Sequence, residues 1–300
     1  MKIAVTGSYS YSGKYITRRL LARGEQVITL TGHPNRPDPF AGQVKAFPLD
    51  FDVPGMARSL TGVDTLYNTY WVRFDHGAAT QSKAVENTAR LIESARLAGV
   101  RRIVHISITN PSPESHLPYF RGKALNEQAV IASGLSYAIL RPTVLFGAED
   151  ILINNIAYLL RRFPVFALPG DGSYRLQPIF VDDLAELALE AGTQSENLLW
   201  DAVGPDIFSF KELIQLIGAC SGYSRPLISV PANLALAASR IISAFVGDVL
   251  LTQDEVDGLT AGLLVSAELP RATTRLANWL TANKESVGRQ YASELKRHYL

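Results

Sequence analysis

Tyr119 and Lys123, in the stretch Tyr119-Phe120-Arg121-Gly122-Lys123, are the residues whose types and spacing point most directly to chemistry. Residues four apart on a helix share a face, so the ammonium can lie near the phenol. A nearby cation favours the phenolate and lowers the pKa of a phenol that is otherwise about 10. A tyrosine so tuned can exchange a proton with a carbonyl or alcohol at neutral pH. Just upstream, the strand-like run Arg101 to Ser107 ends in Ser107-Ile108-Thr109-Asn110-Pro111. Ser107 and Thr109 are therefore candidate donors to a substrate oxygen. Tyr and Lys meet at this spacing in many helices, so the pair gains meaning only from the elements that position it.

Those elements begin at the N-terminus. Lys2 to Thr6 reads as a buried strand, followed by Gly7-Ser8-Tyr9-Ser10-Tyr11-Ser12-Gly13 and a helical pattern through Leu21. A strand, a tight small-residue turn and a helix lay a pyrophosphate on a helix N-terminus, where backbone N–H groups and the helix dipole favour an anion. Ser10 stands where a middle glycine is the usual residue. A second strand, Glu25 to Thr31, is broken by Thr31-Gly32-His33-Pro34-Asn35-Arg36-Pro37. An acid near this strand end would hold a ribose 2′-hydroxyl. None occurs from Val27 to Arg36, whereas His33, Arg36 and the Thr31 hydroxyl are available, which favours NADP(H) over NAD(H). The alternative is a plain turn with a solvated arginine. A third strand, Lys45 to Leu49, ends in Asp50-Phe51, an acid and an apolar residue able to hold an adenine amino group and cover its face.

The alternation continues through a helix at Pro54 to Leu60 and a fourth strand, Asp64 to Asn68, ending in Asn68-Thr69-Tyr70-Trp71. A long helix from about Ala79 to Ala98, the fifth strand, the Tyr119 helix and a sixth strand at Leu135 to Leu140 follow. This pattern predicts an α/β Rossmann fold, a doubly wound parallel sheet with ligands at the carboxyl ends of its strands. From Ile151 the alternation loosens into helices at Asn154 to Arg162, Asp182 to Ala191 (capped by Asp182 or Asp183), Ser209 to Ser221 and Pro231 to Val246. Short strands are read at Pro164 to Leu168 and Gln177 to Val181, and a helical tail ends at Leu300. The expected division is a dinucleotide domain over 1–150 and a smaller, mostly helical substrate-side subdomain over 151–300, with segments such as Leu198 to Ala202 returning to the sheet. Trp71, Phe74 and His76 would face the ligand cleft and make an aromatic-lined, apolar substrate site, although His76 reads equally well as a solvated loop histidine. Lys83, His116 and Arg175 are candidate contacts to an anionic substrate.

Composition excludes other classes. The 300 residues are 47% hydrophobic and 19% charged with net charge +1, which argues against a nucleic-acid binder working by phosphate neutralisation. One cysteine, Cys220, rules out an intramolecular disulfide and a cysteine-rich metal site, and fits a reducing, cytoplasmic compartment. No signal or transit segment precedes the first strand. The apolar stretch Val230 to Leu251 is interrupted by Asn233, Ser239, Arg240, Ser243 and Asp248, so it is expected to pack on the protein rather than span a bilayer, with a membrane-surface or protein-partner role as the alternative. No metal site is read from the sequence.

Taken together, VTGSYSYSG (5–13), the Asp50 turn, VENTARLIESARLAGVRRIVHIS (85–107), YFRGK (119–123), LRPTVLFG (140–147) and QPIFVDDLAEL (177–187) resemble the extended and atypical branch of the short-chain dehydrogenase/reductase superfamily. Within it, the HIS-x-x-N-P loop looks most like the nucleotide-binding accessory subunit of respiratory complex I and its bacterial relatives, and more distantly like NmrA-like regulators. The resemblance implies an NAD(P)-binding fold. Gly7, Ser10, Tyr11 and Gly13 would line the pyrophosphate, Asp50 and Phe51 the adenine, and Asn68 to Tyr70 the ribose side. It would put Lys123 on the nicotinamide ribose, and Pro142 and Thr143 along the nicotinamide. Ile108 occupies the position where the family usually carries its catalytic Ser/Thr. Two functions follow as expectations: an oxidoreductase or epimerase acting on a carbonyl or alcohol through Tyr119, or a non-catalytic NAD(P)H-binding structural, assembly or sensory protein.

Overall fold

A computed structural model of the chain describes residues 1–33, 36–231 and 253–293. Six short runs form parallel strands: β1 (Lys2–Thr6), β2 (Gln26–Thr31), β3 (Lys45–Pro48), β4 (Thr65–Asn68), β5 (Arg102–Ile106) and β6 (Ser136–Pro142). The later segment Leu198–Ala202 pairs in parallel with β6, and the seven-stranded order is Leu198–Ala202, β6, β5, β4, β1, β2, β3. The order reverses between β1 and β4, and the crevice outside such a switch point is where open α/β sheets bind ligands.

The sheet is covered on both faces, which is why its strands read as nearly continuous apolar runs. Leu66 of β4 joins Ala4, Ile28, Ile103 and Ile139 in a cluster with residues of α2 (Val53–Ser59), α3 (Gln81–Leu97) and α4 (Pro118–Ala132). The next residue, Tyr67, meets Gly192 of α6 (Val181–Thr193), where a Cβ would lie 2.0 Å from the phenol oxygen. Successive strand residues point to opposite faces, so α6 covers the other side. There α6 packs on α1 (Tyr11–Ala22), and Arg19 makes two hydrogen bonds of 2.8 and 3.0 Å to the Asp182 carboxylate. Asp182 and Asp183 lie inside the first turn of α6, which starts at Val181, and neither is its cap as expected. Thr80, whose hydroxyl accepts the Lys83 N–H at 3.1 Å, fixes the start of α3 one residue later.

The chain divides by contact into two units: 1–142 with 181–202, and 143–180 with 203–300. The second unit has its own core. Ile153, Ile156 and Leu160 of α5 (Leu152–Arg162) pack with Leu213, Ile214 and Ile217 of α7 (Phe210–Ser221) and with Leu276 and Leu280 of the helix Leu276–Ala282. Gln177 is its polar hub, donating to Gly204 O at 2.9 Å and accepting from Ser266 N at 3.0 Å. Among the described residues the expected helical tail is two short helices, Gln253–Thr260 and Leu276–Ala282, joined by irregular chain and followed by turns to residue 293. The expected helix at Pro231 to Val246 lies almost wholly outside the described residues, as does 294–300. Among the described residues no helix is long and apolar enough to cross a membrane.

Candidate dinucleotide and proton-transfer site

The first unit carries most of the expected site residues at the carboxyl ends of β1, β2, β3, β4 and β5. Gly7 leaves β1 with φ +67°, a conformation that disfavours a side chain. The Ser10 hydroxyl turns inward and donates to Gly7 O at 2.6 Å, beside the Ser10 N–H at 2.8 Å to the same oxygen. A Cβ on Gly13 would lie 2.2 Å from Gly7 O, so the helix enters against bare backbone. This is the cradle a pyrophosphate fits, with α1 starting at Tyr11 directly behind it. Ser8 is fully buried and braces the turn, its N–H donating to Thr29 Oγ1 at 3.0 Å and its hydroxyl accepting from Thr17 at 2.9 Å. Tyr9 lies 6.4 Å from the Phe40 ring, Tyr11 packs edge-on against Tyr15 at 5.9 Å, and Ser12 lies within α1. Gly13→Ala is expected to cost about 1–3 kcal/mol of stability through overpacking and to weaken dinucleotide binding, read by thermal unfolding and calorimetric titration.

At the end of β2, Thr31 Oγ1 accepts the His33 N–H at 3.0 Å, and Gly32 keeps the chain tight. Burial lowers the pKa of His33, and the Arg36 charge lowers it further; burial lowers that of Arg36 as well. The exposed His33 is thereby held toward its neutral form, which leaves Arg36 as the cationic group of this turn. After β3, the Asp50 carboxylate accepts the Asp52 N–H at 3.1 Å while Phe51 adopts φ +62°, a strained backbone for a bulky residue. That conformation sets the Phe51 ring 4.9 Å from the Tyr70 ring, and the Tyr70 hydroxyl accepts from Asn87 at 3.0 Å.

The end of β4 is knitted to β1 and β5. Thr69 donates its N–H to Thr6 Oγ1 (2.8 Å) and its hydroxyl to Thr6 O (2.6 Å). The buried Asn68 accepts from Thr6 Oγ1 at 3.1 Å and from Tyr70 N at 3.1 Å, which leaves its amide N–H₂ facing His105 Nδ1 at 3.0 Å. His105 is fully buried, and burial with the nearby Lys123 charge pushes its pKa down to about 3, so it is neutral.

Ser107 and Thr109 follow β5. Ser107 N–H donates to Leu140 O (2.7 Å) and Thr109 N–H to Pro142 O (3.0 Å), which joins Pro142 to the same loop. The Ser107 hydroxyl is buried without a protein hydrogen-bond partner. On α4, Tyr119 and Lys123 share a face as their spacing requires. Lys123 is 4% exposed and donates to Ile106 O at 2.9 Å. Burial lowers its pKa from 10.5 to about 7, against the opposing pull of Glu127. The Trp71 indole covers Lys123, with Nζ 4.9 Å from the ring centroid, and meets Tyr119 edge-on at 5.6 Å.

The remaining candidates lie elsewhere. Thr143 belongs to the second unit, and its hydroxyl is committed to Gln177 O. Arg175 is exposed in that unit, in a strand pair with Ser209. Lys83 is exposed and paired with Glu86 at 2.8 Å; His76 closes an exposed turn with Ala79; His116 is exposed; Phe74 is half-buried. Three residues not singled out from the sequence shape the site: His105, Gly122 and Glu127. Glu127 follows Lys123 by one helical turn and binds Arg141 through two hydrogen bonds of 2.9 and 2.5 Å. Its i+4 spacing from Lys123 was the available signal.

Comparison with known proteins bears on the fold that carries these residues. Residues 7–153 match the family model described as NAD(P)H-binding. The mitochondrial NADH dehydrogenase [ubiquinone] 1 alpha subcomplex subunit 9 of Arabidopsis thaliana is 25% identical over 286 residues, covering 87% of this chain and 70% of that one. The photosystem II assembly factor Ycf39 of Cyanidium caldarium is 24% identical over 253 residues, covering 82% of this chain and 79% of that one. Among solved structures, the Escherichia coli NADPH-dependent quinone oxidoreductase QOR2 complexed with NADPH superposes with a TM-score of 0.75 at 20% identity, over 93% of this chain and 99% of that one, a likeness of fold. The Gly7–Gly13 turn at the strand-order switch opens residues 7–153, the stretch that matches the NAD(P)H-binding family model, on a Rossmann-like α/β fold.

Proposed function

We propose that the protein is an NADP(H)-dependent oxidoreductase acting on a carbonyl or alcohol. The observation that carries this reading is the pairing of Tyr119 and Lys123 on one face of α4, with Lys123 bonded to the carbonyl of Ile106, the residue before Ser107 and its buried, unpartnered hydroxyl. Gly7, Ser10 and Gly13 would hold the pyrophosphate, Asp50 and Phe51 the adenine, Thr31, His33 and Arg36 the 2′-phosphate, and Lys123 the nicotinamide ribose. Bound there, the cofactor supplies a hydride equivalent. Tyr119 then donates its proton to the carbonyl oxygen while Ser107 holds that oxygen, and water restores the proton. Trp71 and Phe74 give the substrate an apolar, aromatic wall. The test is NADPH consumption with a panel of conjugated ketones, aldehydes and quinones, with product formed in equal amount. NADPH bound tightly but never consumed on any member would overturn the reading.

A second reading, a non-catalytic NAD(P)H-binding structural, assembly or sensory protein, is favoured by Ile108 at the expected Ser/Thr position and by the indole lying on Lys123. The names of the two curated relatives, a complex I subunit and an assembly factor, point the same way. In either case the cofactor preference rests on Arg36. Arg36→Ala is expected to weaken NADPH binding about tenfold, the loss of one charge-assisted contact, and to leave NADH binding unchanged. Tighter NADH than NADPH binding in the parent protein would reverse the preference. The lone cysteine keeps a reducing, cytoplasmic setting as part of this proposal.

A further inference from the structure

Lys123 is required to meet a ligand in the proposed reaction, yet in the fold its amine is enclosed by protein. Its amine is anchored inward to Ile106 O at 2.9 Å, and its outward side is covered by the Trp71 ring. Trp71 lies in the loop after β4 and is half-buried, while Lys123 beneath it is 4% exposed. The indole also stands edge-on to Tyr119 at 5.6 Å, so one side chain contacts both members of the pair.

Two further observations describe how the ring is held. Gly122, between Tyr119 and Lys123, makes room for it: a Cβ there would lie 2.6 Å from Trp71 Cη2 and 3.3 Å from Cζ2. The indole N–H is buried and has no hydrogen-bond partner. The ring is therefore seated by packing, cation–π and edge-to-face contacts alone, with no polar bond fixing its orientation. A ring seated this way can be exchanged for another flat ring that offers the same face to Lys123 and the same edge to Tyr119.

We propose that Trp71 is the gating and specificity-determining residue of this site: its indole fills the slot over Lys123 and beside Tyr119, and a flat conjugated ring is admitted by displacing it. The ring is either the nicotinamide of a dinucleotide or a flat conjugated carbonyl substrate. The identity of the ring rests on the dinucleotide reading above; the gate itself does not.

The test has one arm for each. In the first, the rate of Lys123 acetylation by dilute acetic anhydride is followed by mass spectrometry in the parent protein, Gly122→Ala and Trp71→Phe. The new methyl in Gly122→Ala pushes on the far end of the indole, which can swing away without backbone change. Labelling of Lys123 is expected to rise about tenfold in Gly122→Ala, following the population of the open form, with other lysines unchanged as internal controls. A rate within twofold of the parent in both variants would overturn the gate, whatever binds.

In the second arm, NADPH, 2′-phospho-ADP-ribose (which lacks the nicotinamide) and menadione are titrated. Binding is read by calorimetry, and the Trp71 signal is the emission difference between the parent and Trp71→Phe, which isolates it from Trp200 and Trp279. A ring-bearing probe is expected to change Trp71 emission and 2′-phospho-ADP-ribose to leave it unchanged; whichever of NADPH or menadione does so identifies the source. NADPH or menadione binding with no Trp71 response would overturn the proposal. Failure of every probe to bind, with faster labelling in Gly122→Ala, would reject the dinucleotide and flat-ring identities while supporting the gate.

Discussion

Tyr119→Phe is expected to lower kcat by about 10²–10⁴, the range for removing a positioned general acid, while NADPH affinity stays within about twofold. The substitution deletes one oxygen and keeps the ring, so the edge-to-face contacts with Trp71 at 5.6 Å and Phe120 at 5.8 Å survive. What is lost is the proton that Tyr119 would supply to the carbonyl oxygen. Because that interaction strengthens only as charge develops, the loss falls on kcat and kcat/KM alike rather than on binding. The measurement is steady-state NADPH oxidation with the best acceptor from the carbonyl panel, beside a binding titration. Unchanged turnover in Tyr119→Phe would remove Tyr119 from the reaction and leave the non-catalytic reading as the better one.

Lys123→Met is expected to stabilise the first unit, and to do so most below pH 7. The amine is buried at 4% exposure with its pKa lowered from 10.5 to about 7. At 1.36 kcal/mol per unit, holding the ammonium there costs about 5 kcal/mol below pH 7. Methionine has a similar length and no charge. Against this, Ile106 O loses its donor, which costs about 1–3 kcal/mol, so the net gain in acid is about 2–4 kcal/mol. The sign follows from proton counting. Between about pH 7 and 10.5 the unfolded chain holds a proton on Lys123 that the folded chain lacks, so the stability of the parent rises with pH across that window. The advantage of Lys123→Met therefore shrinks over the same range. Urea midpoints for both proteins at pH 6 and pH 10 test it, and a difference that grows toward pH 10 would contradict the assigned burial cost. A residue whose removal stabilises the fold is retained for something other than stability, which fits a role at the ligand.

The parallel sheet was legible because buried strands and amphipathic helices alternate at their own periods, and the switch between β1 and β4 follows from that order. That Tyr119 and Lys123 share a face of α4 was legible because their spacing is a helix period. Side-chain commitments made across the sheet were not. Nothing in the linear order says that Ser10 bonds Gly7 O, that Thr143 spends its hydroxyl on Gln177, or that Asp182 binds Arg19, 163 residues away. Trp71 was read as a wall residue because it follows a strand end; only the fold lays it over Gly122, whose small size carries no message until its neighbour is known. Arg102, at the start of β5, is fully buried on the carbonyls of Ala191 and Glu196 and the Ser136 hydroxyl. Composition hides such a residue, because arginine at a strand edge is ordinarily wet.

The two donors from Ser10 to the Gly7 carbonyl have a consequence for how a dinucleotide is received. A glycine-rich loop that is loose when empty must be ordered by its ligand, and the lost backbone freedom is subtracted from affinity. Here a side chain of the loop itself supplies the tie, so the ordering is completed during folding. On the proposed reading the turn would meet its anion already shaped, and oxidised and reduced cofactor would trade places without the loop melting between them.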